Sequence, residues 1–482
     1  MNKIFYKPND AWAADFIPFY KDGVFHLFYL KDWRNPEAFG EGTPWYKIST
    51  TDFVNYKEHG EMLARGTSLE QDQYVFTGSV IEADGKYHIF YTGHNHNFYS
   101  NADNKIPGQA IMHAISDDLE NWTKIPGDTF FALSDEYEVH DWRDPFVFYN
   151  EDEGEYYMIL AARKKDRHKL LSGCTALCVS KDLEKWELRE PFWDPHLYYT
   201  HECPDLFKMG DWWYQVFSEF SDCHVTRYRM SNSLNGPWLS PKDDMFDGRA
   251  YYAAKTASDG DKRYIFGWNP TKENNKDKGL WQWGGSLVVH EIYQSLDGTL
   301  NTRIPKTVDD TFVNPVGICF HSLYNNSIKN DNINLSAISG TQIMVCDDVL
   351  PDTYKLEATF KISENTSKCG ILLNYSEAED GGYIYLFETS KQRVVFEYWP
   401  NFPQYRYNGI CCERPFSLKA NVEHKLKIIV ENEICVLYLD DKIALGARMC
   451  DRTNGKFALL VCDGAVEFSN ITISQLDKKE NK

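Results

Sequence analysis

Three acidic residues stand just ahead of apolar stretches that are typical of β-strands, and their type and placement suit chemistry: Asp15, Asp144 and Glu202. Asp144 belongs to the triplet Arg143-Asp144-Pro145, in which the proline ring fixes its own φ and favours an extended conformation at Asp144. We therefore expect each carboxylate to lie at the entrance of a strand, where a rigid scaffold meets solvent.

Two carboxylates that flank a glycosidic bond, one ionised and one protonated, are the requirement for glycoside hydrolysis. Glu202 is the predicted proton donor, because its neighbours carry no charge and crowding by rings or other acids would favour its protonated form. Asp15 is the predicted nucleophile, and Asp144 is expected to stay ionised beside Arg143. A separation of about 5–5.5 Å between nucleophile and acid gives retention and a wider one inversion. Taken singly, each acid also fits a turn former or a structural ion pair.

A repeat along the first three hundred residues indicates how these acids are positioned. Turn glycines recur at positions 23, 85, 154, 210 and 260, each followed by a run of aromatic and β-branched residues, which predicts five hairpins. An Asp-containing hexapeptide ending in an aromatic residue recurs at 51–56, 117–122 and 181–186, with a degenerate copy at 233–238. We predict that it forms a turn that seats the aromatic ring against the neighbouring sheet.

Five all-β units of this length predict a five-bladed β-propeller. Because the innermost strands of a propeller start at one common face, the three carboxylates are expected to point into one funnel. From about residue 316 alternating strands predict a β-sandwich. The predicted fold is therefore all-β, with a propeller at 1–305, a linker at 306–315, a sandwich at 316–477 and a tail at 478–482.

Composition limits the partners. The chain has 51 basic and 71 acidic residues, a formal net charge of −20, which disfavours nucleic acid and anionic membranes and suits a neutral small molecule. The 12 cysteines are scattered without metal-ligand spacing, so no metal or other cofactor is expected. With no signal-peptide pattern at the amino terminus, we expect reduced thiols and a cytoplasmic protein. The sequence does not indicate the oligomeric state.

Several of these motifs resemble those of glycoside hydrolase family 32, the group of invertases, levanases and inulinases. The strongest matches are Arg143-Asp144-Pro145 and Glu202-Cys203-Pro204-Asp205. Shorter matches run in order through the first domain: His26-Leu27-Phe28-Tyr29, Phe76-Thr77-Gly78-Ser79, Tyr91-Thr92-Gly93 and Trp283-Gly284-Gly285. The resemblance covers the predicted propeller. The sandwich matches only in its place in the chain and in its pattern of alternating strands.

The resemblance implies a retaining hydrolase that releases fructose from β-fructofuranosides such as sucrose or short fructo-oligosaccharides. Asp15 would attack the anomeric carbon and Glu202 would protonate the departing oxygen. Asp144 and Arg143 would hold fructosyl hydroxyls. Three further residues are expected to line the fructose pocket: Phe76, Thr77 and Trp283.

One family motif is altered in this chain. The usual Trp-Met-Asn-Asp-Pro-Asn-Gly is replaced by the segment from Trp12 to Pro18, with Ala14 before Asp15, and Leu30 stands where the family commonly has Gln. Two polar contacts to sugar are therefore expected to be absent, which changes substrate discrimination strongly in a buried site. An atypical fructoside, fructosyl transfer or a related furanoside stays open. A catalytically inactive sugar-binding protein is the alternative from another class.

Overall fold

The computed structural model describes residues 4–98, 106–323, 333–400 and 412–477, so the predicted tail at 478–482 lies outside the described residues. In these ranges regular structure is almost all β, with two α-helices of four residues each: α1 (Pro36–Phe39) and α2 (Lys306–Asp309). The 3₁₀ turns are His96–Phe98, Pro126–Asp128, Lys169–Leu171, Glu273–Asn275 and Thr389–Lys391. Within the described ranges no helix is long and apolar enough to cross a membrane.

The strands up to residue 303 form five successive antiparallel units, called blades 1 to 5. Blade 1 contains β1 (Trp12–Lys21), β2 (Val24–Asp32), β3 (Trp45–Thr50) and β4 (Lys57–Leu63). Blade 2 contains β5 (Tyr74–Ala83), β6 (Lys86–His94), β7 (Gln109–Ser116) and β8 (Thr123–Lys124). Blade 3 contains β9 (Tyr137–Asn150), β10 (Glu155–Lys164), β11 (Gly173–Ser180) and β12 (Glu187–Leu188). Blade 4 contains β13 (Glu202–Met209), β14 (Trp212–Glu219) and β15 (Val225–Ser231). Blade 5 contains β16 (Tyr252–Ser258), β17 (Arg263–Lys272), β18 (Trp281–Gln294) and β19 (Leu300–Arg303).

The first strands of the five blades form a closed ring, because β1, β5, β9, β13 and β16 contact one another in that order and β16 contacts β1 again. The last blade is also paired with the first, since Gly285 of β18 pairs with Ala13 of β1. A side chain at Gly285 would be impossible there, because its Cβ would lie 1.8 Å from the carbonyl oxygen of Asn269. The prediction of a five-bladed propeller is confirmed.

The five turn glycines join the first and second strands of each blade, as the repeat predicts. All five have positive φ: Gly23 (84°), Gly85 (75°), Gly154 (68°), Gly210 (58°) and Gly260 (96°). In blades 1 and 2 the preceding residues, Asp22 and Asp84, also have positive φ, which gives the tight Asp-Gly hairpin whose twist matches the strands.

The recurring hexapeptide forms the predicted turn. In the copy at 117–122, a carboxylate oxygen of Asp118 accepts the backbone N–H groups of Glu120 and Asn121 at 2.9 and 2.8 Å. The terminal Trp122 then packs edge-to-face on Phe28 of blade 1, with ring centroids 5.8 Å apart. The copy at 181–186 does the same, placing Trp186 on Phe90 of blade 2 at 5.4 Å. These two turns therefore join their blades to the preceding ones, which confirms the prediction for the copies at 117–122 and 181–186.

The remaining strands form one twisted sheet that folds into two layers, which confirms the β-sandwich. Its strands are β20 (Phe312–Val316), β21 (Phe320–Ser322), β22 (Ile333–Cys346), β23 (Thr353–Ile362), β24 (Lys368–Ser376), β25 (Gly381–Glu388), β26 (Arg393–Trp399), β27 (Cys412–Pro415), β28 (Glu423–Glu431), β29 (Ile434–Leu439), β30 (Ile443–Arg448) and β31 (Lys456–Leu476). The long β31 pairs with β20, β22, β23 and β24 and so connects both layers. Helix α2 and the start of β20 fall within the predicted linker; the domain bounds stay a prediction.

Propeller and sandwich share a buried interface. Hydrophobic residues of β28, β29 and β30 belong to the same core as blades 1, 4 and 5. At its centre the buried Asp247 accepts hydrogen bonds from the backbone N–H of Gly446 at 2.6 Å and pairs with His290 Nε2 at 3.0 Å. His290 Nδ1 lies 2.9 Å from the hydroxyl of Tyr438. Polar groups at this interface are thus matched across it, as burial requires.

Candidate active site

Each innermost strand carries a β-bulge at the same level, near the mouth of the ring. The extra residues in β1, β5, β9, β13 and β16 fall at 15–16, 77, 144–145, 203–204 and 253–254. In four of the five strands the first bulge residue has positive φ: Asp15 (45°), Asp144 (59°), Cys203 (50°) and Ala253 (50°). A bulge re-aims side chains out of the regular alternation of a strand. Here the bulges direct side chains of successive innermost strands into one pocket.

This pocket has a volume of about 340 Å³ and holds all three predicted acids. Its lining residues are Asp15, Phe76, Gln109, Asp141, Arg143, Asp144, Tyr199, Glu202, Cys203, Phe220, Tyr252, Ala253 and Trp283. Six of the seven residues that the sequence singled out are therefore on its wall. The seventh, Thr77, lies behind Asp15 and is 1% exposed.

Asp15 is held by two hydrogen bonds at the bottom of the pocket. The Thr77 hydroxyl donates to Oδ2 at 2.5 Å, and Trp268 Nε1–H donates to Oδ1 at 2.9 Å. Burial raises the pKa of Asp15 to about 7, although these two hydrogen bonds oppose the rise and the charges of Asp144 and Glu202 add to it. The carboxylate is thus fixed in orientation and titrates near neutral pH.

Asp144 lies close to Asp15 and accepts the backbone N–H of Cys203 at 2.9 Å through Oδ2. Its own N–H donates to the hydroxyl of Thr92 at 2.7 Å. Burial raises the pKa of Asp144 to about 6, against the lowering effect of the Arg143 guanidinium. Desolvation therefore outweighs the neighbouring cation that the sequence suggested would dominate, and the charged form still prevails above pH 6.

Arg143 contacts a different carboxylate from the one next to it in sequence. Its Nη2 lies 2.9 Å from Glu202 Oε1 and its Nη1 lies 2.8 Å from Asp141 Oδ1, whereas its Nε is 3.8 Å from Asp144 Oδ2. The bulge of β9 brings the side chains of Arg143 and Asp144 to the same pocket, yet the guanidinium lies closer to Glu202 than to its neighbour in sequence. The second oxygen of Glu202 accepts the hydroxyl of Tyr252 at 2.7 Å.

The remaining predicted residues form the aromatic side of the pocket. Phe76 stacks on His94 with ring centroids 4.8 Å apart. Trp283 is 39% exposed at the rim and packs edge-to-face on Trp268 at 6.3 Å. An exposed ring beside a polar pocket is typical of a surface that packs against the apolar face of a ligand.

The sequence missed several groups that hold the acids in place. Trp268 and Tyr252 contact Asp15 and Glu202 from blade 5, and neither was predicted from the sequence as a site residue. Asp141 bridges Arg143 to Arg163, whose Nη1 donates to Asp141 Oδ2 at 2.6 Å. These groups share only their position in the strands. Each lies within three residues of a bulge, or on the part of a neighbouring strand that pairs with a bulge.

The altered positions of the first motif lie in the protein interior. Ala14 and Leu30 pair with each other across β1 and β2, and both are 0% exposed. Neither lines the pocket, and each belongs to a hydrophobic core cluster. Apolar side chains at these two places thus pack the scaffold beneath Asp15.

A pocket that combines three clustered carboxylates, a guanidinium and aromatic walls defines a site of the glycoside-cleaving class. Comparison with known proteins agrees: the family described as glycosyl hydrolases family 32 N-terminal domain matches residues 6–294. The chain belongs to this family, and the predicted family membership is confirmed.

The individual relatives have low sequence identity to this chain. The chain is 27% identical to a sucrose-6-phosphate hydrolase of Vibrio alginolyticus over 312 residues, which is 60% of this chain and 60% of that protein. It therefore spans less than two thirds of this relative's length. A levanbiose-producing levanase of Bacillus subtilis is 22% identical over 97% of this chain and 89% of the relative.

Solved structures support the fold over nearly the whole chain. An exo-inulinase from Aspergillus awamori is similar with a TM-score of 0.73 at 17% identity, covering 98% of each chain. A sucrose-6-phosphate hydrolase from Lactobacillus gasseri gives a TM-score of 0.73 at 18% identity, covering 99% of this chain and 93% of the other. The propeller and the sandwich are therefore a shared arrangement.

Proposed function

We propose that this protein is a retaining β-fructofuranosidase that releases fructose from sucrose-like fructosides or short fructo-oligosaccharides. The observation that carries the proposal is the gathering of Asp15, Asp144 and Glu202 on one pocket wall, with Asp15 and Asp144 in strand bulges and Glu202 directly before one. Membership of glycosyl hydrolase family 32 supports the same activity. Relatives named as sucrose-6-phosphate hydrolase and levanase support the substrate class.

The proposed reaction has two displacement steps. In the first, a carboxylate oxygen of Asp15 bonds to the anomeric carbon while the bond to the leaving oxygen breaks and Glu202 gives that oxygen a proton. In the second, Glu202 takes a proton from water, the water oxygen bonds to the same carbon, and the bond to Asp15 breaks. This sequence retains the configuration at the anomeric carbon.

The other pocket residues have proposed supporting roles. Asp144, ionised above about pH 6, would stabilise the positive charge that develops on the sugar ring and accept hydroxyl hydrogen bonds. Arg143 would donate to sugar hydroxyls while keeping Glu202 in place. Phe76 and Trp283 are the proposed pocket lining, whereas Thr77, which was expected to line the pocket, would act on the sugar through Asp15.

We further propose that the protein works in the cytoplasm. All eleven cysteines in the described part of the chain are free and nine of them are buried, which is typical of a reducing compartment. We also keep the division into a catalytic propeller at 1–305 and a sandwich at 316–477, joined at 306–315, as a proposal. The core shared by the two supports a structural role for the sandwich.

The test is turnover of a fructoside panel by the parent chain and by Glu202→Gln, with all sugar products identified. We expect free fructose from the parent and a kcat about 10²–10⁴-fold lower for the variant, because the proton donor is lost. Glu184→Gln, an exposed blade 3 residue, is the matched control and should leave kcat unchanged. Binding of fructosides without turnover by the parent would establish the inactive sugar-binding alternative instead.

Two further readouts separate the remaining alternatives. The anomer of fructose formed first, read by NMR, distinguishes retention from inversion. Product analysis with excess acceptor sugar distinguishes transfer from hydrolysis, because hydrolysis yields only free fructose. Formation of new fructosyl sugars as the main product would reassign the enzyme as a transferase.

A further inference from the structure

A second cleft lies on the sandwich, away from the three carboxylates. It has a volume of about 280 Å³, and only one lining residue, Asn275 from the connection between β17 and β18, belongs to the propeller. The full set of lining residues is Asn275, Leu350, Pro351, Asp352, Tyr354, Asn374, Val430, Asn432, Glu433, Met449, Cys450, Thr453 and Asn454. None of them also lines the carboxylate pocket.

The chemistry of this sandwich cleft suits a ligand with hydroxyl groups. The amides of Asn275 and Asn454 can donate and accept hydrogen bonds, as sugar hydroxyls do, whereas the Asn374 amide already donates to the backbone oxygen of Arg452 at 3.1 Å. Leu350, Val430 and Met449 are buried and give the cleft an apolar portion, which matches the C–H faces of a sugar ring. Asp352 disfavours an anion, the charge of Glu433 is paired with Arg448 at 2.9 Å, and no Lys, Arg or His is among the lining residues.

Tyr354 offers a ligand a further hydrogen-bonding group. Its side chain is only 2% exposed and lines the cleft, so its hydroxyl is the part of the ring that a ligand there would meet. Burial raises the pKa of Tyr354, so the group remains a neutral donor. A neutral phenolic hydroxyl at the cleft wall can donate a hydrogen bond to a hydroxyl group of a ligand.

We propose that the sandwich cleft is an accessory binding site for a neutral sugar unit, distinct from the pocket of the carboxylates. The asparagines need a careful test, because Asn374, Asn432 and Asn454 have φ of 49°, 54° and 57°. Asparagine is favoured at such left-handed positions for backbone reasons alone. A glycine substitution keeps that backbone and removes only the amide.

The experiment is titration of the full chain carrying Glu202→Gln with 1-kestose, followed by crystals soaked in the same sugar. We expect two sites per chain, one of them in the sandwich cleft. Adding Tyr354→Phe, which removes one hydroxyl, or Asn432→Gly with Asn454→Gly, should weaken the cleft site about 10-fold and leave the other unchanged. Asn421→Gly, at φ 59° outside the cleft, is the control and should change neither.

The outcomes are distinct. A single site that survives every cleft substitution, or crystals with sugar in the carboxylate pocket alone, would overturn the proposal. Density for calcium or inorganic phosphate in the cleft, after soaking with either salt in place of sugar, would also overturn it. Because this test measures binding of 1-kestose to the sandwich cleft, a failure of fructoside hydrolysis would not affect its result.

Discussion

At the scale of single residues, the carboxylate pocket places acids where water cannot solvate them. Burial is the largest influence on both Asp15 and Asp144, raising their pKa to about 7 and about 6. Hydrogen bonds from Thr77 and Trp268 counteract this effect at Asp15. The proposed nucleophile thus has a pKa close to neutral pH, and without these hydrogen bonds a smaller fraction of it would be ionised there.

Replacing Thr77 by Val should shift the pH dependence of the reaction. The variant loses the hydroxyl that donates to Asp15 Oδ2, so the pKa of Asp15 rises and less nucleophile is ionised at a given pH. We expect the acidic limb of the kcat/KM profile to move to higher pH by roughly one unit. Thr77→Ser, which keeps the hydroxyl, should retain the parent profile, and an unshifted limb in Thr77→Val would contradict this role.

Replacing Asp15 by Asn should stabilise the fold at alkaline pH. The folded-state pKa of about 7 lies above the unfolded value, so between pH 4 and 7 the native state holds a proton that the unfolded chain has released. Stability of the parent therefore falls as pH rises through this window. We expect Asp15→Asn to raise the free energy of unfolding on the order of 1–4 kcal/mol at pH 8 and to lose this advantage near pH 4.

Urea unfolding of both chains at the two pH values measures the effect. Asp182→Asn is a control of opposite sign, because hydrogen bonds from the N–H groups of Lys185 and Glu184 lower the pKa of Asp182. That variant should be less stable than the parent at pH 8. Equal free energies of unfolding for Asp15→Asn and the parent at both pH values would mean that burial does not destabilise the charged form of Asp15.

The residues that could be predicted from sequence are those whose chemistry is carried by a local motif. Asp144 and Glu202 stand in short motifs with restricted backbones, and the repeat brought them together. The partner of Arg143 could not be predicted, because it depends on how bulges orient two separate strands. Trp268 and Tyr252 were missed for the same reason, since an aromatic residue in a strand is usually part of the core.

At the scale of elements, the propeller repeats two local features, hairpin turns and β-bulges, and only the turns can be recognised in the sequence. The hairpin turns need glycine or aspartate at positive φ, so the sequence displays them at regular intervals. The bulges are set by the register of paired strands and occur at Asp15, Thr77, Asp144, Cys203 and Ala253, which share no residue type. The blades were therefore predictable, and the geometry of the pocket was not.

Replacing Gly78 by Ala tests the bulge of blade 2. A Cβ at this position would lie 1.9 Å from the carbonyl oxygen of Phe90, so the paired strands must move apart. We expect a loss of about 1–3 kcal/mol in unfolding free energy, together with a fall in kcat/KM, because Thr77 would shift beneath Asp15. Gly127→Ala, where a Cβ meets nothing within 4 Å, is the control and should be neutral in both measurements.

At the scale of the whole molecule, the sandwich is part of the fold of the propeller. Arg448 of β30 is 2% exposed, and its Nε donates to the backbone oxygen of Pro270 at 2.8 Å. Its Nη2 donates to the backbone oxygen of Asn269 at 3.1 Å, and its Nη1 pairs with Glu433 at 2.9 Å. Asn269 and Pro270 belong to β17, the strand that carries Trp268 toward Asp15. The two parts are thus coupled close to the pocket.

Replacing Arg448 by Leu should destabilise both parts together. The change leaves carbonyl oxygens of β17 and the carboxylate of Glu433 without their buried partner, which costs about 3–5 kcal/mol. Calorimetry should show one unfolding transition in the parent and one at lower temperature in the variant. Arg189→Leu is the control, since Arg189 is half exposed and its contacts with Glu155 and Glu187 are 3.9 and 3.7 Å long.

A chain that ends after residue 310 tests whether the propeller depends on the sandwich. Without the sandwich, the hydrophobic core that blades 1, 4 and 5 share with β28 to β30 would face water. We expect this truncated propeller to be insoluble or inactive, because the exposed surface is apolar and β17 loses its support. Two separate transitions in the parent, or a soluble truncated chain with full turnover, would show that the propeller folds alone and that the sandwich has another purpose.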